Sequence, residues 1–115
     1  MNEQIEALKT ASEYIDNLKG GINTLVKFIE EGEEEKGCGY IPLVADGIEW
    51  LMNVVDLTQE FHEGKVSLDS INQKLEEIVE ALENEDYTLV GDLFNYEILP
   101  ILEQAQVSIN SVIQN

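Results

Sequence analysis

His62 is the chain's one imidazole, and it stands three residues after Gln59. A di-iron centre in a helical bundle draws on two Glu-x-x-His pairs plus carboxylates from the other helices. His62 completes neither pair, and at a helix end such a side chain serves the helix dipole. The six residues from Glu30 to Glu35 hold five glutamates, yet the run has no D-x-D-x-D-G order. A flexible acidic stretch preorganises little for a divalent cation, so it reads as a solvated charge run. Cys38 lies between Gly37 and Gly39 with glutamates upstream. It reads as exposed, with its pKa raised by those glutamates and no histidine near it to form a thiolate. No Gly-x-Ser-x-Gly turn and no phosphate-binding glycine loop occurs. These residues predict no catalysis, no metal and no cofactor.

Two groups are better suited to binding. Asp92 and Tyr96 are four apart and share a helix face, while Glu97 adjoins Ile98 and Ile101 on the apolar side. One reading is a polar seam or pocket in the bundle beside the carbonyl freed ahead of Pro100. The other is a buried Glu97 that accepts a hydrogen bond from a tyrosine or the backbone. Trp50, with Met52 and Tyr14 nearby, is either an anchor for a partner or a core aromatic.

The elements that carry these residues are helical. Leu8, Ala11, Ile15, Leu18, Ile22, Leu25 and Ile29 recur at three- and four-residue steps and predict a helix over Asn2 to Glu31. Gly20-Gly21 within it either makes the helix kink or pause, or lets a neighbouring helix come close. Like charge and three glycines make Glu30 to Gly39 the principal loop. Helix resumes near Ile41, with Pro42 in its first turn and a stripe of Ile41, Val44, Ile48, Leu51 and Val55 reaching to Thr58. It stops at His62 and Gly64. A third helix is predicted from Ser67 as cap, flanked by Val66 and Ile71, with Ile71, Leu75, Ile78 and Leu82 on its apolar face. Asp86 caps a fourth, carrying Val90, Phe94, Ile98, Ile101, Ala105, Ile109 and Val112. Pro100 removes a donor and crowds the Tyr96 carbonyl, which predicts a kink. The expected fold is all-α: an antiparallel four-helix bundle in one domain over residues 1–115, its last helix kinked near Pro100.

Six lysines, no arginine and 24 acidic residues leave a net charge of −18. Phosphate backbones and anionic lipid are repelled by such a surface, so neither nucleic acid nor membrane is an expected partner. No apolar run approaches the roughly 20 residues of a membrane span, and the N-terminus shows no secretory pattern. A lone cysteine makes no internal disulfide, and the expected location is cytoplasmic.

K-L-E-E-I-V-E-A-L-E-N-E-D-Y ending at Tyr87, D-L-F-N-Y-E-I-L-P-I-L from Asp92 to Leu102, and G-I-E-W-L-M-N-V-V from Gly47 to Val55 carry a resemblance. The chain resembles a family of short acidic all-helical proteins from Gram-positive bacteria, a domain of unknown function. That resemblance implies a helical fold and no activity.

From Gln104 to Asn115 no side chain is ionisable. This end could pack inside the bundle, form a homodimer or hold a partner's helix. The expected function is a non-enzymatic adaptor or chaperone-like protein with a basic or helical partner, meeting it through Trp50, Val107, Ile109, Val112 and Ile113. The alternatives are an acidic nucleic-acid mimic that binds a basic protein, and a bundle that binds a metal or small ligand.

Overall fold

In the computed structural model, which describes residues 2–114, the described residues are all-α. Helix α1 (Glu3–Glu30) opens where the Asn2 side chain accepts from the Gln4 N–H at 2.8 Å. Glu3 and Glu6 in its first turn and Lys27 in its last oppose the matching ends of the helix dipole. All seven residues of the expected seam are buried, joined by Val26. Gly20-Gly21 causes no interruption. Open space surrounds Gly20, and a Cβ on Gly21 would meet Val44 only at 4.0 Å.

The acidic stretch is more ordered than its charge suggests. After Gly32, at φ 80°, the chain forms a short helix α2 (Glu34–Cys38) on the C-terminal end of α1. Gly37 is buried there, and a Cβ on it would lie 3.0 Å from both the Leu25 carbonyl oxygen and Ile29 Cγ1. The missing side chain is what lets the turn seat. Phe28 stacks on Tyr40 at 6.0 Å, and Lys36 sits 5.9 Å above the Phe28 ring while pairing with Glu33 at 3.0 Å. Tertiary contact therefore overrides the local repulsion.

Helix α3 (Ile41–Leu57) holds Pro42 in its first turn, and a short α4 (Gln59–His62) follows. Left-handed Glu63 and Gly64, at φ 55° and 74°, end it. Helix α5 (Ile71–Glu83) begins four residues later than Ser67. Ser67 instead accepts from the Asp69 N–H at 3.2 Å and closes a turn. The reason lies in Val66 and Leu68, both buried. Residues two apart cannot share a helix face, so the chain stays irregular until both are seated. Asp86 caps the next helix as expected, accepting from the Leu89 N–H at 3.2 Å.

The final run comprises α6 (Tyr87–Leu93), a π-helical segment (Phe94–Ile98) and α7 (Leu99–Ile113). The Leu99 N–H donates to the Phe94 carbonyl five residues back. Where the sequence predicts a kink at Pro100, the backbone widens one turn ahead of it, next to the Tyr96 carbonyl, whose regular i+4 donor the proline removes. The wide turn also moves the apolar face. Leu102 is fully buried and Ile101 only half-buried.

Helix α1 is the spine of the fold. Helices α3, α6 and α7 pack on it, and α5 packs on α6 and the π segment. The body measures 47 × 22 × 19 Å.

Candidate interaction surface

The structure keeps Asp92 and Tyr96 together at the surface and turns Glu97 towards α5. Asp92 is exposed, Tyr96 is 69% exposed, and Glu97 is half-exposed. Glu97 faces Lys74 across helices, with Nζ 3.8 Å from Glu97 Oε2 and 3.2 Å from Glu77 Oε2. The Glu77 oxygen has no well-aligned hydrogen bond despite its burial, so charge holds that contact. Asp92 and Tyr96 rim a shallow recess of about 170 Å³ against Val26 and Ile29. The interior that Glu97 was expected to reach is filled by Phe94, Ile98 and Leu102.

His62 is buried and is not a solvent-facing helix end. Its Nε2–H donates to the Val55 carbonyl at 2.9 Å, and the Val66 N–H donates to Nδ1 at 3.4 Å. Buried Thr58 donates to the Val54 carbonyl at 2.7 Å beside it. Together they pin the end of α3 to the irregular segment, satisfying backbone groups that the break between α3 and α4 would otherwise strand. Cys38 is half-buried; burial first, and then Glu34, push its thiol pKa up. Among the described residues no three His, Cys, Asp or Glu side chains converge as a metal ion would need. No helix there is long and apolar enough to cross a membrane.

The uncharged C-terminal stretch is docked as far as Ile113. Gln106 Nε2 donates to the Ser12 carbonyl at 2.8 Å and to Asp16 Oδ1 at 2.9 Å, and Lys19 donates to Gln106 Oε1 at 3.2 Å. Ser12 Oγ donates to Asn110 Oδ1 at 2.8 Å. Ile109 has no exposed surface, and Val112 and Ile113 are half-buried against the core. Of the expected partner residues on α7, Val107 alone is exposed. The amides serve the α1–α7 seam, so the lack of charge reflects packing.

Trp50 belongs to a different surface. Its ring meets Tyr14 of α1 edge-on at 5.2 Å and 72°, leaving it 40% exposed. Ser12 and Lys19, which meet α7, lie about 150° around α1 from Tyr14 at 100° per residue. Leu43 and Leu57, 67% and 81% exposed, stand seven residues either side of Trp50. Seven residues fall about 20° short of two turns, so the three side chains form one stripe roughly 21 Å long. The core face of α3 is instead Val44, Ile48, Leu51 and Val55. Leu43 and Leu57 were missed in the sequence, although apolar residues at 43, 50 and 57, out of phase with 44, 48, 51 and 55, were a readable signal.

Behind the stripe, the helices meet at Gly47. A Cβ there would lie 2.6 Å from the Tyr14 hydroxyl and 2.7 Å from Leu18 Cδ2. This close approach holds Tyr14 against Trp50. A recess of about 170 Å³ between Tyr14, Leu18, Tyr40, Leu43 and Val44 extends the apolar surface past the stripe's first turn. Along one edge run Asp46, Glu49, Asn53 and Asp56, all exposed. No Lys or Arg occurs from residue 37 to 64.

A family model described as a domain of unknown function (DUF8042) matches residues 6–108. No curated protein and no solved structure matches the chain.

Proposed function

The chain belongs to this family of unknown function, and we propose that it is a non-enzymatic protein-interaction domain, adaptor-like, that docks its partner on the outer face of α3. The observation that carries this reading is the stripe of Leu43, Trp50 and Leu57. Three large apolar side chains at heptad spacing stay in solvent although the chain has a complete core without them. Large apolar side chains aligned on one exposed helix face and edged by polar residues suit a binding face. An aromatic held by a neighbouring ring adds the rigid anchor that binding hot spots favour.

The arrangement that presents this face is an antiparallel four-helix bundle of α1, α3, α5 and the run from Tyr87 to Ile113, bent at the π segment. Short connections, the packing of α3, α6 and α7 on α1, and that of α5 on α6 and the π segment support it. A cytoplasmic setting suits the single half-buried thiol. Nucleic-acid mimicry draws on net charge alone and leaves the apolar stripe without a purpose.

Affinity capture from the cells of origin with the natural chain and with a Leu43→Ser/Leu57→Ser variant tests the reading. Both positions are exposed, so the melting curve should be unchanged within about 0.5 kcal/mol. The expected result is a stoichiometric protein held by the natural chain and lost by the variant. Identical captured sets would remove α3 as the docking face.

A further inference from the structure

We propose that the occupant of the α3 face is an amphipathic helix of a partner protein whose apolar stripe is flanked by Lys or Arg. This inference rests on reading α3 as the docking face and adds the chemistry of what docks there.

The first ground is shape. A straight stripe about 21 Å long, presented by a single helix with the shallow recess at one end, matches the side of another helix that shows anchors at two-turn spacing. A flat sheet edge would need unpaired backbone groups, which α3 does not offer.

The second ground is charge, and it selects the partner. Asp46 and Asn53 stand about 40° and 60° around α3 from Trp50, and Glu49 and Asp56 follow at about 100° and 120°. All four are exposed, and no cation occurs on α3 to neutralise the three carboxylates. A second copy of this chain would bring the same acidic edge with it, between two bodies that each carry −18. Like-charged edges repel across an interface, whereas Lys or Arg on the flank of a partner helix would meet Asp46, Glu49 and Asp56 directly. The apolar stripe supplies residence, and the acidic edge supplies selection and encounter rate.

Three synthetic peptides of about 18 residues, close to the length of α3, test this. One is a Leu-striped helix with Lys flanks, the second has the same stripe with Glu flanks, and the third scrambles the first, keeping charge but destroying the stripe. Binding to the full chain is followed by Trp50 emission and by titration calorimetry. The comparison proteins are Leu43→Ser/Leu57→Ser and Asp46→Asn/Glu49→Gln/Asp56→Asn. The Lys-flanked helix should bind and shift Trp50 to the blue, and the scrambled peptide should not shift it. The Leu43→Ser/Leu57→Ser protein should lose the shift. The amide variant should bind about fivefold more weakly, as the loss of three exposed rim pairs implies.

Equal binding of the Glu-flanked peptide would overturn the basic partner while leaving the docking face standing. Concentration-dependent dimerisation abolished by Leu57→Glu, with no peptide bound, would replace the partner by a second copy. Binding of the Lys-flanked helix that survives Leu43→Ser/Leu57→Ser would overturn the inference and the docking face together. A monomer that binds no peptide would overturn the inference.

Discussion

At the scale of single residues, two glycines with the same helical backbone have opposite roles. Gly47 is where α3 touches α1, and the 2.6 Å and 2.7 Å approaches of Tyr14 and Leu18 leave no room for a methyl group. Gly47→Ala should cost about 1–3 kcal/mol in denaturant unfolding, the usual range for overpacking. It should also change Trp50 emission, because Tyr14 has to leave its place against the indole. Gly20 faces open space within α1, so Gly20→Ala should stabilise by about 0.5–1 kcal/mol through helix propensity and a less flexible unfolded chain. Equal effects at the two positions would contradict the close approach at Gly47. Cys38 offers a second test. Burial and Glu34 raise its pKa, so at neutral pH less thiolate is present than in a free thiol. Alkylation by a neutral reagent should therefore be slower than for a short Cys peptide, and the gap should narrow as pH rises through the alkaline range. Salt should speed the reaction somewhat by screening Glu34. A rate matching the peptide at pH 7 would show that neither burial nor charge restrains the thiol.

At the scale of elements, the last helix is decided by one extra residue. Buried positions Val90, Phe94, Ile98 and Leu102 step by fours. In a regular α-helix each four-residue step overshoots by about 40°, so three in succession would drift some 120° off one face. The π segment Phe94–Ile98 absorbs that drift, keeping Ala105 and Ile109 on α1. Deleting exposed Tyr96 should convert the wide turn to a regular one with both flanks in register, and Tm should fall modestly. Deleting exposed Glu103 has no wide turn to draw on and would rotate Ala105 and Ile109 by about 100°. That variant should lose several kcal/mol or fail to fold. The two deletions differ only in where they fall, so circular dichroism melts of both decide whether the π turn sets the register. The run of fours was visible in the sequence and marks the limit of reading with one fixed period. Helix α1 was legible because its seam is local and alternates cleanly. Glu34–Cys38 was not, because the turn exists through Gly37 meeting Leu25 and Ile29. Nor was the start of α5, since Ser67 looks like a cap until Val66 and Leu68 are both seen to be buried. Among the site residues, Trp50 was singled out but its companions Leu43 and Leu57 were not, while Ile109 and Glu97 were assigned from apolarity without the direction each faces. Such directions depend on which helix lies opposite, and that is not a local property.

At the scale of the whole molecule, charge works against the fold and for its proposed use. Even if all six lysines were paired one to one, 24 less 6 leaves 18 carboxylates without a cation. Lys74 shows how thinly the cations are spread, since one ammonium faces both Glu77 and Glu97. The exposed pairs, such as Lys36–Glu33 at 3.0 Å, contribute at most about 1 kcal/mol each. Repulsion among the rest acts over distances comparable to the 22 Å and 19 Å widths of the body when the Debye length is about 30 Å, near 0.01 M salt. At about 0.1 M it falls to about 10 Å, and charges on opposite faces no longer sense one another. Tm should therefore rise between those two salt concentrations. Replacing sodium chloride with an uncharged osmolyte at equal osmolarity should not reproduce the low-salt part of that rise if screening is its cause. The same screening should weaken capture of a basic helix, so stability and affinity should move in opposite directions with salt. A protein that gains Tm but keeps its partner affinity unchanged across that range would be binding through the apolar stripe alone, with Asp46, Glu49 and Asp56 as bystanders.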